Sequence, residues 1–278
     1  MKVELSASAG FCVGVKRAID TALEAAESDQ SIYMLGDIVH NEFVVKRIKE
    51  KGIKKIKKLG SGKGRTLLIR AHGAPLSVYR AAKRAGYRMI DATCPMVKEI
   101  HRIARADEKK GRKIVIIGDS EHDEVLGIKG SLTKRPVVID PREPLPVDKL
   151  KKIEKASVVV QSTQNIEKVL GVVDRLSGII KDLLFHDTIC RPTKKRQKDA
   201  QSLPLRNDVV VVIGSRTSAN TKRLYEISRS LNKRTCWISS ADELEPGFLR
   251  GAKSAGVLAG ASTPDDTIKE VVSFLRKL

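Results

Sequence analysis

Apolar runs recur along the chain, and each ends in a cluster of small polar residues. They are SIYMLGDIVHN (31–41), RTLLIRAHG (65–73), RKIVIIGDSEHDE (112–124), ASVVVQSTQN (156–165), NDVVVVIGSRTSAN (207–220) and SAGVLAGAST (254–263). Continuous Val, Ile and Leu content suits parallel strands covered on both faces rather than half-buried ones. Stretches of helical period over 76–86, 123–131 and 221–231 lie between them and read as crossover helices. The pattern predicts an α/β chain of parallel sheets. Ligands of such sheets collect at the carboxyl ends of the strands, where helix N-termini point inward.

Three of the four cysteines fall into register with this pattern. Cys12 opens CVGVKRAIDTALEAAE, Cys94 opens CPMVKEIHRIARADEKKG and Cys190 opens CRPTKKRQKDAQSL. Pro95 and Pro192 then occupy first-turn positions, where a missing N–H is tolerated. Each cysteine is thus expected at a helix N-terminus, where the dipole favours the thiolate that binds metal. The chain divides into three modules, 13–94, 95–189 and 190–278, with the segment 1–12 joined to the third. A pseudo-threefold arrangement of three small α/β modules would bring three thiolates to one centre. Any one of these cysteines alone reads as an inert buried thiol. Three at equivalent points favour a shared site, either a zinc with an open position or an iron–sulfur cluster with one iron left for substrate. Cys236, in RTCWISS beside the sole tryptophan, reads as packing.

The net charge of +20 attracts anions, but the basic residues are spread along the chain and alternate with acids at helical spacing. With only 4% aromatics there are few platforms for stacking bases. Solvated helix faces and a small anionic substrate account for the charge better than a nucleic-acid groove. No run approaches the ~18 apolar residues of a membrane span. The start MKVELSASAGF lacks a secretory profile, so the chain is expected to be soluble and cytoplasmic.

His40, His72 and His122 all stand at the ends of the apolar runs, whereas His101 lies on a helix and His186 precedes Cys190. The same loops offer Asn41, Ser162, Thr163, Ser218, Asn220 and Ser262. Neutral hydrogen-bonding groups of this kind, with backbone N–H groups at helix starts, can hold a diphosphate. There is no GxxxxGK[ST] loop, which argues against nucleotide hydrolysis. Glu124, in His122-Asp123-Glu124, is the carboxyl group best placed for proton transfer, though acids also favour first helical turns for their own sake. If Asp123 faced the same way, its charge would raise the pKa of Glu124.

At these residues the chain resembles the 4-hydroxy-3-methylbut-2-enyl diphosphate reductase family, the last enzyme of the non-mevalonate isoprenoid pathway. The resemblance runs through Gly10-Phe11-Cys12 with Gly14-Val15, Val39-His40-Asn41, Ala71-His72-Gly73, Asp91-Ala92-Thr93-Cys94-Pro95, Asp187-Thr188-Ile189-Cys190 and Gly260-Ala261-Ser262. It implies a 4Fe-4S cluster on Cys12, Cys94 and Cys190, with the fourth iron open to the substrate hydroxyl. It further implies diphosphate ligands at His40, His72, Ser218, Asn220 and Ser262, His122 beside the substrate, and Glu124 as proton donor. Ser162, Ala219 and Asp123 depart from the family pattern, which has Thr, Ser and Pro there. The implied reaction is a two-electron, two-proton removal of water that gives isopentenyl and dimethylallyl diphosphates, fed by ferredoxin or flavodoxin. A quinolinate-synthase-like lyase with a three-cysteine cluster, and a basic nucleic-acid-binding protein with structural metal, are the competing readings.

Overall fold

The computed structural model describes every residue except 29 and 30. Its strands are β1 (Lys2–Leu5), β2 (Ile32–Leu35), β3 (Lys54–Ile56), β4 (Thr66–Ile69), β5 (Arg88–Asp91), β6 (Lys113–Ile117), β7 (Val137–Ile139), β8 (Lys155–Val160), β9 (Asp182–Phe185), β10 (Val209–Ile213), β11 (Thr235–Ile238) and β12 (Ser254–Ala259). The helices are α1 (Val13–Ser28), α2 (Glu42–Glu50), α3 (Leu76–Arg84), α4 (Pro95–Lys109), α5 (Asp123–Lys129), α6 (Val147–Leu150), α7 (Ile166–Ser177), α8 (Arg191–Ser202), α9 (Ala219–Leu231), α10 (Pro246–Leu249) and α11 (Asp265–Lys277).

The strands form three parallel four-stranded sheets, ordered β3-β2-β4-β5, β7-β6-β8-β9 and β1-β12-β10-β11. In each sheet the two central strands are the more apolar and are at least as long as the two edge strands. β10 is buried at every position, and β8 at all but its first. The edge strands differ: Lys54 and Lys55 of β3, and Arg88 and Met89 of β5, are exposed. Burial on both faces is what a parallel sheet imposes on its central strands. The third sheet takes its last edge strand, β1, from the start of the chain, where Lys2–Leu5 pairs in register with Ser254–Val257.

The chain forms two compact units. One comprises Met1–Lys16, Val39–Arg47 and Arg191–Leu278, and holds the sheet β1-β12-β10-β11. Its core on one face joins Val209, Val211 and Ile213 of β10 and Val257 of β12 to Ile268, Val271 and Leu275 of α11. The other unit comprises Arg17–Ile38 and Ile48–Cys190 and holds the remaining two sheets. There α4 presents Val97, Ile100 and Ala104 at helical spacing. Ile100 and Ala104 pack on Ile114 and Ile116 of β6 and on Ile128 of α5. Each fully buried aliphatic side chain of this kind stabilises the fold by roughly 1.5–3 kcal/mol.

The run 31–41 is a strand only over Ile32–Leu35. Gly36 follows at φ +84°, a left-handed conformation that ends the extended chain, so His40 stands in a loop before α2. The expected crossover helices end slightly early, at Arg84 and Lys129, while that of 221–231 begins at Ala219.

Candidate functional site

Each of the three register cysteines ends a loop after an edge strand and begins a helix. Cys94 is the N-cap of α4, and its carbonyl accepts from Lys98 N at 3.0 Å. Cys12 precedes α1 in the same way: its carbonyl accepts from Lys16 N at 2.9 Å and its Sγ from Val15 N at 3.4 Å. Cys190 immediately precedes α8.

A single backbone hydrogen bond recurs at all three. Cys12 N donates to Ala261 O at 3.2 Å, Cys94 N to Ala71 O at 2.9 Å and Cys190 N to Ser162 O at 3.1 Å. The three acceptors are each the second residue beyond a central strand, β12, β4 and β8. The same sheet position therefore fixes the backbone of each cysteine. Two of the approaches are braced by an aspartate: Asp91 Oδ1 accepts from Thr93 N at 2.9 Å, and Asp187 Oδ1 from Ile189 N at 3.3 Å. None of the cysteines is in a disulfide, and the three are partly exposed. Soft sulfur donors at helix starts have the chemistry an iron–sulfur cluster requires. Cys236 lies within β11, where burial pushes its thiol up to about 12 and keeps it protonated.

In the larger unit His72 and His122 meet edge to face, with ring centroids 5.5 Å apart. His122 is the N-cap of α5, and its Nδ1 accepts from Glu124 N at 3.2 Å. That bond assigns the proton of a neutral His122 ring to Nε2. Glu124 is 2% exposed. Its carboxyl accepts from Ser162 N at 2.6 Å and Ser162 Oγ at 2.8 Å. Burial raises the pKa of Glu124, and the two bonds from Ser162 only partly oppose this. The side chain is thus biased toward the protonated form that a general acid needs. Ser162, expected among the substrate ligands, has its hydroxyl on Glu124. Thr163 Oγ1 accepts from Gln161 Nε2 at 3.0 Å.

Asp123 does not face Glu124. Its carboxylate takes both arms of the Arg70 guanidinium, Nη1 to Oδ2 at 2.5 Å and Nη2 to Oδ1 at 2.7 Å. The expected charge effect on Glu124 is thus replaced by burial. Arg70 was not legible as a site residue, because its partner lies 53 positions away and no local spacing joins them.

In the smaller unit Ser262 Oγ donates to His40 O at 3.1 Å, tying the histidine loop to the end of β12. Asn41 Oδ1 accepts from Val44 N at 3.1 Å and caps α2, while Ser218 Oγ accepts from Thr221 N at 3.3 Å and caps α9. Asn220, in the first turn of α9, is 5% exposed, yet neither its Oδ1 nor its Nδ2 has a partner among the described residues. A buried amide left without partners costs free energy that a bound polar group would recover.

The LytB protein family matches residues 3–276. A relative from Clostridioides difficile is 37% identical over 280 residues and covers 100% of both chains. One from Aquifex aeolicus is 38% identical over 274 residues, covering 97% of this chain and 94% of its own. Both are 4-hydroxy-3-methylbut-2-enyl diphosphate reductases. A solved structure of (E)-4-hydroxy-3-methyl-but-2-enyl diphosphate reductase, the terminal enzyme of the non-mevalonate pathway, superimposes with a TM-score of 0.73 at 37% identity over the full length of both chains. The E-1-hydroxy-2-methyl-but-2-enyl-4-diphosphate reductase of Plasmodium falciparum gives 0.89 at 26% identity, covering all of this chain and 87% of its own. Full-length likeness in both sequence and sheet architecture makes this chain a member of the LytB family.

Proposed function

We propose that the chain is an oxidoreductase of isoprenoid biosynthesis that removes the hydroxyl of (E)-4-hydroxy-3-methylbut-2-enyl diphosphate as water, giving isopentenyl and dimethylallyl diphosphates. The observation that carries the reading is the threefold recurrence of one cysteine position, with Cys12, Cys94 and Cys190 each hydrogen-bonded to the second residue beyond a central strand. We take these three as ligands of a 4Fe-4S cluster. When bound, such a cluster supplies electrons one at a time and Lewis acidity toward the substrate oxygen.

The chain's own residues do the rest. Glu124, biased toward its protonated form, gives a proton to the departing oxygen, and Ser162 holds its carboxyl in place. His122, with its Nδ1 engaged by Glu124 N, presents Nε2–H beside the substrate. His40, His72, Ser218, Asn220 and Ser262 take the diphosphate, the idle amide of Asn220 among them. Two electrons and two protons convert the allylic alcohol to alkene and water, so an external donor is required. The +20 net charge suits acidic one-electron carriers such as ferredoxin or flavodoxin. The reading takes the enzyme as cytoplasmic, where cysteines outside disulfides stay reduced, and among the described residues no helix is long and apolar enough to cross a membrane. The family match supports this reading over a quinolinate-synthase-like lyase and over a nucleic-acid-binding protein.

The test is anaerobic purification with iron and sulfide analysis, followed by turnover of (E)-4-hydroxy-3-methylbut-2-enyl diphosphate with a chemical reductant. Formation of the two five-carbon diphosphates by iron-loaded protein is expected. Loaded protein that leaves the substrate unchanged would overturn the reading.

A further inference from the structure

Arg70 is the first residue beyond β4 and stands two places before His72. Asp123 is the first residue of α5, between its N-cap His122 and Glu124. Their bidentate contact joins the loop that carries one histidine to the helix turn that carries the other. The side chains are only 19% and 24% exposed. Room for the guanidinium comes from Gly36, at the end of the neighbouring strand β2. A β-carbon there would lie 2.5 Å from Arg70 Nη1, closer than any real contact.

The same two segments also lie near each other further along α5. A β-carbon on Gly127 would stand in ordinary van der Waals contact, at 3.4 Å, with both His72 O and His101 Nε2. The helix that displays His122 and Glu124 is thus joined to the His72 loop at its first turn by charge and lies beside it one turn later. The Arg70–Asp123 fork adds an orienting contact toward the His72 loop to a turn whose Glu124 carboxyl is held from the other side by Ser162.

We propose that Arg70 and Asp123 are positioning residues, whose forked ion pair sets the His122–Glu124 turn against His72 so that the proton donor and the histidines hold one geometry. The inference rests on the proposed reduction for its catalytic consequence, though not for its structural one. An exposed ion pair contributes little stability, but a bidentate, half-buried Arg–carboxylate pair restricts orientation, and small misplacements of a proton donor are costly in rate. Arg70→Gln removes both guanidinium arms and the charge, and Asp123→Asn replaces one acceptor oxygen at the same volume.

The experiment compares parent, Arg70→Gln, Asp123→Asn and the double variant as iron-loaded proteins, by amide hydrogen exchange and by steady-state kinetics. Exchange at the Glu124 and Val125 amides is expected to rise about tenfold in either single variant and no further in the double. With (E)-4-hydroxy-3-methylbut-2-enyl diphosphate, kcat should fall about tenfold while KM stays within about threefold, and the thermal midpoint and visible spectrum should hold. Unchanged exchange in a single variant, or losses that multiply in the double, would overturn the pairing. A fall in kcat matched by a large fall in thermal midpoint would reduce the pair to a structural brace, which also overturns it. A parent that does not reduce the substrate refutes the functional reading, and the exchange measurements then decide the pairing alone.

Discussion

Glu124 and Ser162, 38 residues apart, share two hydrogen bonds, and the serine donates both of them to a carboxyl group that is otherwise sealed from water. Burial favours the neutral acid and Ser162 favours the anion, so the proton affinity of Glu124 is set by the balance between them. Glu124→Gln is expected to retain iron and bind substrate while single-turnover reduction falls about 10²- to 10⁴-fold, the usual contribution of a general acid. Ser162→Ala removes the hydroxyl bond only. The pKa of Glu124 then rises further, and the alkaline limb of the rate profile, where the acid ionises, moves to higher pH. A limb that stays in place or moves down would show that another group titrates.

The same burial has a consequence for stability. A carboxyl whose pKa is raised above the unfolded value of 4.5 contributes stability that is fully present below that pH and is lost as pH rises through the folded pKa. The urea midpoint of the parent should therefore decline from acid toward neutral pH by more than that of Glu124→Gln. Parallel curves for the two proteins would place the raised pKa elsewhere.

His101 should act in the opposite sense. Burial lowers its pKa to about 4 from 6.5, with a smaller contribution from the charge of Arg105. The unfolded chain then takes up the proton first, so stability is lost as pH falls from about 6.5 to about 4. His101→Leu, similar in size and uncharged, should flatten the urea midpoint over that window. An unaltered slope would mean that His101 is solvated.

Two asparagines should separate structure from binding. Asn41→Ala removes a helix cap and is expected to cost about 1 kcal/mol of stability. Asn220→Ala removes an amide with no partner among the described residues, so thermal stability should hold or rise. Its substrate affinity by calorimetry should drop roughly 10- to 100-fold, for a lost bond to a charged ligand of about 1.5–3 kcal/mol. Full affinity in Asn220→Ala would take the diphosphate away from α9.

Cys12→Ser, Cys94→Ser and Cys190→Ser should each lose iron and visible absorption, because a serine hydroxyl at neutral pH does not replace a thiolate. Cys236→Ser should keep both, since its thiol is held protonated inside β11. Full iron content in any of the first three would remove that cysteine from the cluster site.

The amino-acid sequence by itself determined the six central strands, β2, β4, β6, β8, β10 and β12, because burial on both faces leaves an unbroken apolar signature. The edge strands, such as KVEL, KKI and RMID, carry charges on a half-exposed ribbon, and their pairing comes from neighbours distant in the chain. β1 is the extreme case, since its partner β12 lies at the other end of the sequence. The three cysteine positions were legible for the same local reason, a thiol just ahead of a helical period. What each side chain does in its loop was decided by tertiary structure. Ser162 turned to Glu124, Asp123 to Arg70, and Asn220 to none of the described residues, while the carboxyl expected to be tuned by a neighbouring charge is tuned by burial instead. Strand and helix periods are written in successive residues, whereas hydrogen bonds and desolvation depend on which distant loops share one end of a sheet.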